Sequence, residues 1–382
     1  MIAHNAILLP EMKGKSRVEM DFNISQPPLW TYSLLETAKF LNRMDQIGEF
    51  YPLCQHNLQW WEKNRFNEEY GLFGAPLTGD QYGCETEMHG SPRFSHQYTG
   101  RKWQDCLPDQ KRDLLLVDLN AQMADYYQNM GVFGSLLGDE QAGEYFQKAE
   151  SLQDQAQKFL FDPQSKFFYD FDLETQTIQP IKTIAGFWSL FGGLASKGQI
   201  QPLLTHLLDP SEFWTELPVP SIAINEPFYT KDIWHGAVSI PQNYWLIIGL
   251  KRFGQNAVVS KLTQKIFQYL NDSFNLYGRL YEHYPPMSLN VDSLGETVEP
   301  GMVRGTKCKS ISSRNTPDYL GHAIVHSLFY RGLLGAEIVD DSVSFVPDWG
   351  VMPKELQFSF YYHTRKVNSF MSKMTNKMLE IT

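Results

Sequence analysis

The chain has 382 residues, 42% hydrophobic, 14% aromatic and 20% charged, enough for one large domain or two ordinary ones. Its 43 acidic against 33 basic residues give a net charge of -10 with no basic run, which excludes the phosphate-tracking groove of a nucleic-acid binder. No apolar run reaches bilayer-spanning length and "MIAHNAILLP" has neither a basic start nor a small-residue cleavage site, so the expectation is a soluble, cytoplasmic protein with no membrane partner.

Helical periodicity dominates from residue 28 to 335, in pairs separated by loops rich in Gly, Pro and aromatics. "PPLWTYSLLETAKFLNRM" opens with Pro where a helix can start and pairs with "IGEFYPLCQHNLQWWEKNR". "PDQKRDLLLVDLNAQMADYYQNMGVFGSLL" and "GDEQAGEYFQKAESLQDQAQKFLF" follow. Further helices are predicted at "KTIAGFWSLFGGLA", "GQIQPLLTHLL", "IPQNYWLIIGLKRFG", "NAVVSKLTQKIFQYLNDSF" and "PDYLGHAIVHSLFYRGLLG", about nine in all. Loops 67–108, 210–240 and 274–316 carry the unusual Trp, His, Pro and carboxylate content, and loops of such length in a compact domain are functional ones. Beyond residue 340, "SVSFVPDWG" and "ELQFSFYYHTRK" alternate as short strands. The expected organisation is therefore a helical domain over 1–340 with a strand-containing tail over 341–382 packed on it.

Nine Trp, 19 Tyr and 25 Phe fit either a helical core packed with rings or a cleft whose aromatic faces meet sugar rings. Trp60 and Trp61, inside a helix, read as packing; Trp30, Trp103, Trp188, Trp214 and Trp234 read as facing a cleft. The cysteines at 54, 84, 106 and 308 form no CxxC pair and read as free thiols. His322 and His326 share a helix face but lack an acidic third ligand nearby, so they read as core or loop-bonded histidines. "FDPQSKFFYDFDLETQ" lacks calcium-loop spacing and reads as a turn with Asp170 and Asp172 solvated. Neither metal nor cofactor is expected.

Several segments together resemble glycoside hydrolase families 37 and 63, the trehalases, alpha-glucosidases and related enzymes acting on glucosylglycerate and mannosylglycerate. "SQPPLW", Ser25 to Trp30, is similar to their SQPP element. "ETEMHGSPRF", Glu85 to Phe94, is similar to a loop usually reading ESGMDNSPRF, and "VDLNAQM", Val117 to Met123, to the helix after it. "FWTELPVPSIAINEPFYTKDIWHGAVSIPQNYWLIIGLKRFG" resembles the segment with a Pro-Ser pair, a WRGPxW element and a GLxRYG helix end, and "GRLYEHYPP" resembles the ENYNP element. The resemblance implies an all-α fold, an (α/α)6 toroid of helix hairpins whose loops converge on a cleft. "MIAHNAILLP" aligns just before the SQPP element, so the first helix pair of that ring is expected to be missing, with a short C-terminal β flap at the other end.

The resemblance also implies an inverting glycosidase, in which an acid protonates the leaving oxygen while a carboxylate about 6.5 to 9.5 Å away activates water. Judged alone, Glu282 is a loop residue between tyrosines with a structural role; the match makes it the general base. The family's acid falls on His89. Three readings stay open: His89 donates the proton itself, Glu87 or Glu85 takes over, or hydrolysis has been lost. Where the family has Arg, Pro and Trp, this chain has His235, Ala237 and Ser239, and Glu87 replaces a Gly, so the changes are grouped around one site. Substrate contacts are expected from Trp30, Glu85, Arg93, Trp103, Trp234, His235, Asn243 and Tyr281, with Arg93 alternatively tying its loop to a carboxylate. The expected function is conversion of a small alpha-glucoside; a sugar isomerase or lyase using His89 and Glu282, and an inactive sugar- or partner-binding protein, are the alternatives. A homo-oligomer stays open.

Overall fold

The computed structural model describes residues 6–10, 16–20, 25–77, 84–86, 88, 91–94, 112–231, 233–291, 294, 323–339, 342–345, 355–362 and 365–372. Among these are nine α-helices: α1 (Trp30–Phe40), α2 (Ile47–Arg65), α3 (Val117–Leu137), α4 (Ala142–Phe159), α5 (Trp188–Phe191), α6 (Ile200–Leu207), α7 (Ile240–Arg252), α8 (Asn256–Tyr277) and α9 (Ile324–Ser327). The α2 bounds match the sequence expectation, whereas α1 starts at Trp30, after both prolines rather than on them. The α9 helix runs directly into a π-helical turn, Leu328–Leu333.

Burial separates two kinds of helix. In α4 the buried residues Ala142, Tyr145, Ala149, Leu152 and Ala156 form one stripe at three- and four-residue spacing, as in a helix with a wet outer face. In α3 burial runs almost around the circumference and includes Asp118, Asn120, Gln122, Asp125 and Asn129, and α7 is covered in the same way. Odd-numbered helices contact one another in succession, α1 with α3, α3 with α5, α5 with α7 and α7 with α9. Arg331, just after α9, donates to the Tyr32 hydroxyl at 2.9 Å and pairs with Glu36, so the last of these elements is tied back to the first. Arg252 at the end of α7 reaches Asp125 of α3 at 2.7 Å, with its guanidinium 4.3 Å from the Phe191 ring centre.

The all-α expectation is corrected by an antiparallel sheet inside the helical region. Phe66–Asn67, Leu72–Leu77, Arg112–Leu115, Asp170–Asp172 and Thr177–Gln179 hydrogen bond in that order. "LFGAPL" carries Gly and Pro and reads as loop, while "RDLL" merges into the apolar run of α3, and short apolar runs do not separate strand from helix. Asp170 and Asp172, expected to be solvated, are 3% and 1% exposed. Residues Ala6–Pro10 and Ser16–Met20 pair as a hairpin. Toward the other end, Ala336–Val339 pairs with Ser342–Phe345, a hairpin that straddles the boundary expected at 340, and Glu355–Tyr362 pairs with Arg365–Ser372.

Candidate active site

The SQPP-like and "ETEMHGSPRF" segments are fastened together near the starts of α1 and α3. Glu85 accepts from the Ser25 backbone N–H at 3.0 Å and from two nitrogens of the Arg65 guanidinium at 2.7 and 2.8 Å. Both carboxylate oxygens of Glu85 are thus engaged. A buried carboxylate held by a fork of Arg donors ties its loop to the end of α2.

Arg93 fills the second of its two expected roles. Its guanidinium, 2% exposed, donates to Asp170 at 3.1 Å, to Thr86 Oγ1 at 3.2 Å and to Asp118 at the start of α3. Asp170 also accepts from the Val117 N–H at 2.9 Å, so one guanidinium joins the loop, the sheet and the helix start. Burial, opposed by Arg93 and aided by the neighbouring Asp118 charge, raises the Asp170 carboxyl above its usual range. Trp30 is half-buried; its indole N–H donates to Asn57 at 3.0 Å and its ring meets Tyr126 edge-on. His89, Glu87 and Trp103 lie outside the described residues, as do His322 and the 295–316 part of the third long loop; His326 is exposed rather than in a core.

A second part of the candidate site is built on two short strands. Val238–Ser239 pairs antiparallel with His283–Tyr284, placing Ser239 opposite His283. Glu282, half-buried, immediately precedes this pair, between Tyr281 and His283. Trp234 packs edge-on against His283 with ring centres 4.8 Å apart. The structure therefore brings Trp234, His235, Tyr281 and Glu282 into one paired unit. Tyr281 donates its backbone N–H to the Tyr284 hydroxyl at 2.8 Å, and Pro286 accepts from the Leu217 N–H at 2.9 Å, so the Glu282 loop is held on both sides. Gly278 ends α8 with φ of 70°, a turn that Gly adopts without Cβ strain, and leads into this loop. Gly236, at φ 149°, leaves no room for a side chain: a Cβ would stand 1.9 Å from the Thr230 carbonyl.

Asn243, expected to bind hydroxyls, is fully buried and accepts from the Val219 N–H at 2.9 Å while donating to the carbonyls of Val219 and Ser239 at 3.1 and 3.0 Å. Its amide joins the Val219 loop to the start of α7. Trp188 is likewise buried, donating to Gln242 at 2.8 Å, and Trp214 is half-buried with the Lys265 ammonium 5.4 Å from its ring centre. Behind the loop, Glu212 pairs with Lys182 and with His206 Nδ1 at 2.7 Å, while Glu226 accepts from the Lys182 N–H at 3.0 Å. Asp118, Arg65 and Ser221, whose hydroxyl accepts from the Gly236 N–H at 3.0 Å, carry no sequence signal as partners because their bonds span distant parts of the chain.

A family model described as "Mannosylglycerate hydrolase MGH1-like glycoside hydrolase domain" matches residues 1–288. The chain belongs to this MGH1-like family. That agrees with the resemblance to families 37 and 63 drawn from the motifs. The MGH1-like chain is 24% identical over 249 residues to an uncharacterized protein of Borreliella burgdorferi, covering 63% of this chain and 47% of that one. It is 25% identical over 109 residues to the cytosolic neutral trehalase of Kluyveromyces lactis, 26% of this chain and 14% of the trehalase. It therefore spans about half or less of the length of these curated relatives. The crystal structure of the GH63 mannosylglycerate hydrolase from Thermus thermophilus in complex with Tris superposes with a TM-score of 0.58 at 16% identity, covering 71% of this chain and 73% of that one, a likeness of fold. Among the described residues, no helix is long and apolar enough to cross a membrane.

Proposed function

We propose that this MGH1-like domain is an inverting glycosidase acting on a small alpha-glucoside, with Glu282 as general base. The observation that carries the reading is the pairing of Val238–Ser239 with His283–Tyr284, which holds Glu282 on a half-buried turn beside Trp234 and Tyr281. A carboxylate so fixed can take a proton from water as that water attacks the anomeric carbon, while an acid on the opposite face protonates the leaving oxygen. His89 or Glu87 takes the acid's part, and Glu85 does not, because its oxygens are bound by Arg65 and Ser25. The succession α1, α3, α5, α7 and α9, tied from last to first by Arg331 to Tyr32 and Glu36, supports an (α/α)6-type arrangement.

The name of the Thermus relative adds mannosylglycerate to the substrates worth trying. Incubation with trehalose, glucosylglycerate and mannosylglycerate, followed by proton NMR of the first product anomer, tests the reading. Release of the β-anomer from an alpha-linked substrate is expected. First release of the α-anomer from glucosylglycerate or mannosylglycerate, or of α-glucose alone from trehalose in place of one α- and one β-glucose, would overturn the inverting assignment, and binding without release over days would make the chain a sugar-binding protein.

A further inference from the structure

On α3, residues Asp118, Gln122, Asp125 and Asn129 follow one another at four, three and four positions and so share one helix face. Three of the four are engaged. Asp118 holds Arg93, Asp125 holds Arg252, and Asn129 donates to Asp125 at 2.9 Å. Gln122 is 1% exposed, and its Oε1 accepts no hydrogen bond from any described residue.

Its depth gives the orphaned oxygen a meaning. One turn further along α3, toward the end of α7 and away from the Ser239–His283 strand pair, Arg252 reaches in to Asp125, with the Tyr32 and Phe191 rings packed beside it and Trp245 against both. One turn back, Asp118 meets Arg93, on the loop that carries His89. Gln122 therefore stands between the Arg252–Asp125 and Arg93–Asp118 pairs, on the helix face shared by both. Buried amide oxygens are nearly always matched by a donor, and an unmatched one at the bottom of a site calls for a ligand hydroxyl or a water holding its place.

The geometry points to Gln122 as a sugar-binding residue at the floor of the cleft, its Oε1 accepting from a hydroxyl of the bound glycosyl ring. This inference rests on the glycosidase reading above and adds to it the group that recognises the deepest sugar hydroxyl. It also accounts for a polar residue kept at a core position of α3 where an apolar one would pack without an unpaired oxygen.

Calorimetric titration of the full chain with D-glucose and its monodeoxy analogues tests it. One monodeoxy analogue is expected to bind the wild-type protein about tenfold more weakly than glucose, and Gln122→Met should bind glucose and that analogue equally, at the weaker value. The thermal midpoint of Gln122→Met should equal or exceed the wild-type value, because the substitution removes an unmatched oxygen; a purely structural glutamine would lower it and leave glucose affinity unchanged. If every deoxy analogue binds the wild type as glucose does, or if Gln122→Met leaves glucose affinity intact, the inference is overturned while the sugar cleft stands. If the wild type binds no glucose, the inference falls together with the sugar-cleft reading.

Discussion

The Trp234 indole meets the His283 imidazole edge-on, with ring centres 4.8 Å apart and planes at 85°. This contact joins the residue before His235 to the residue after Glu282, so the loop with the altered residues and the loop with the candidate base are packed against each other. Trp234 is 7% exposed, and Trp234→Ala should cost about 3–5 kcal/mol of stability, with Trp234→Phe losing less. Urea denaturation of the two variants checks the order.

Arg93 is the common partner of Asp118, Asp170 and Thr86. Replacing it by Met leaves two buried carboxylates without their cation, a change expected to destabilise the fold by about 3–5 kcal/mol. Lys should not restore it, since a point charge cannot reproduce the forked bonds to both carboxylates. Denaturant midpoints of Arg93→Met and Arg93→Lys measure this, and a Lys variant as stable as wild type would contradict the clamp.

Gly236 sets the path of the His235 loop. Any Cβ at φ 149° meets the Thr230 carbonyl and the Tyr229 ring, so Gly236→Ala should lower stability by about 1–3 kcal/mol. Differential scanning calorimetry gives the shift. A midpoint unchanged from wild type would contradict this steric constraint.

The His206–Glu212 pair gives stability a defined pH dependence. A hydrogen bond from His206 to Glu212 raises the imidazole above its usual value despite partial burial. Burial alone would raise Glu212, but bonds from His206 and Lys182 hold it below its usual value. The histidine contribution is complete below its unfolded pKa of about 6.5 and disappears as pH rises through the elevated folded value. The glutamate contribution is present above its unfolded pKa of about 4.3 and is lost as pH falls through the depressed folded value. Stability from this pair is therefore greatest between those two unfolded values, and His206→Gln should remove about 1–2 kcal/mol there and flatten the decline above neutrality. Urea melts across that range compare the two proteins.

Much of the helical order is legible in sequence because repeats of three and four residues are local. The 19-residue α2 carries its own bounds in its pattern, and α7 and α8 do so within a few residues. The sheet is not legible, because its strands are short and pair across long stretches of chain, Leu114 lying opposite Asp172. The site divides in the same way. The loops of the candidate residues Glu282 and Trp234 can be matched to a motif, whereas the partners of Arg93, Glu85 and Asn243 cannot, since Asp170 lies 77 residues from Arg93 and Arg65 lies 20 from Glu85. A charged or amide side chain in a sugar-site motif is equally suited to holding backbone, and only the fold decides which it does. Asp170 and Asp172 mislead for the converse reason: their acidic run looks wet, yet the sheet buries both and a guanidinium from a distant loop meets Asp170.

The proposed role of Glu282, activating water for glycoside cleavage, is tested most directly by Glu282→Gln. The substitution keeps the shape of the side chain and removes its basicity. Sugar release from the alpha-linked panel should fall by at least about a hundredfold, within the range general-base catalysis supplies, while calorimetric affinity for the same sugars stays within a few-fold of wild type. Release that continues at the wild-type rate in Glu282→Gln would contradict the assignment.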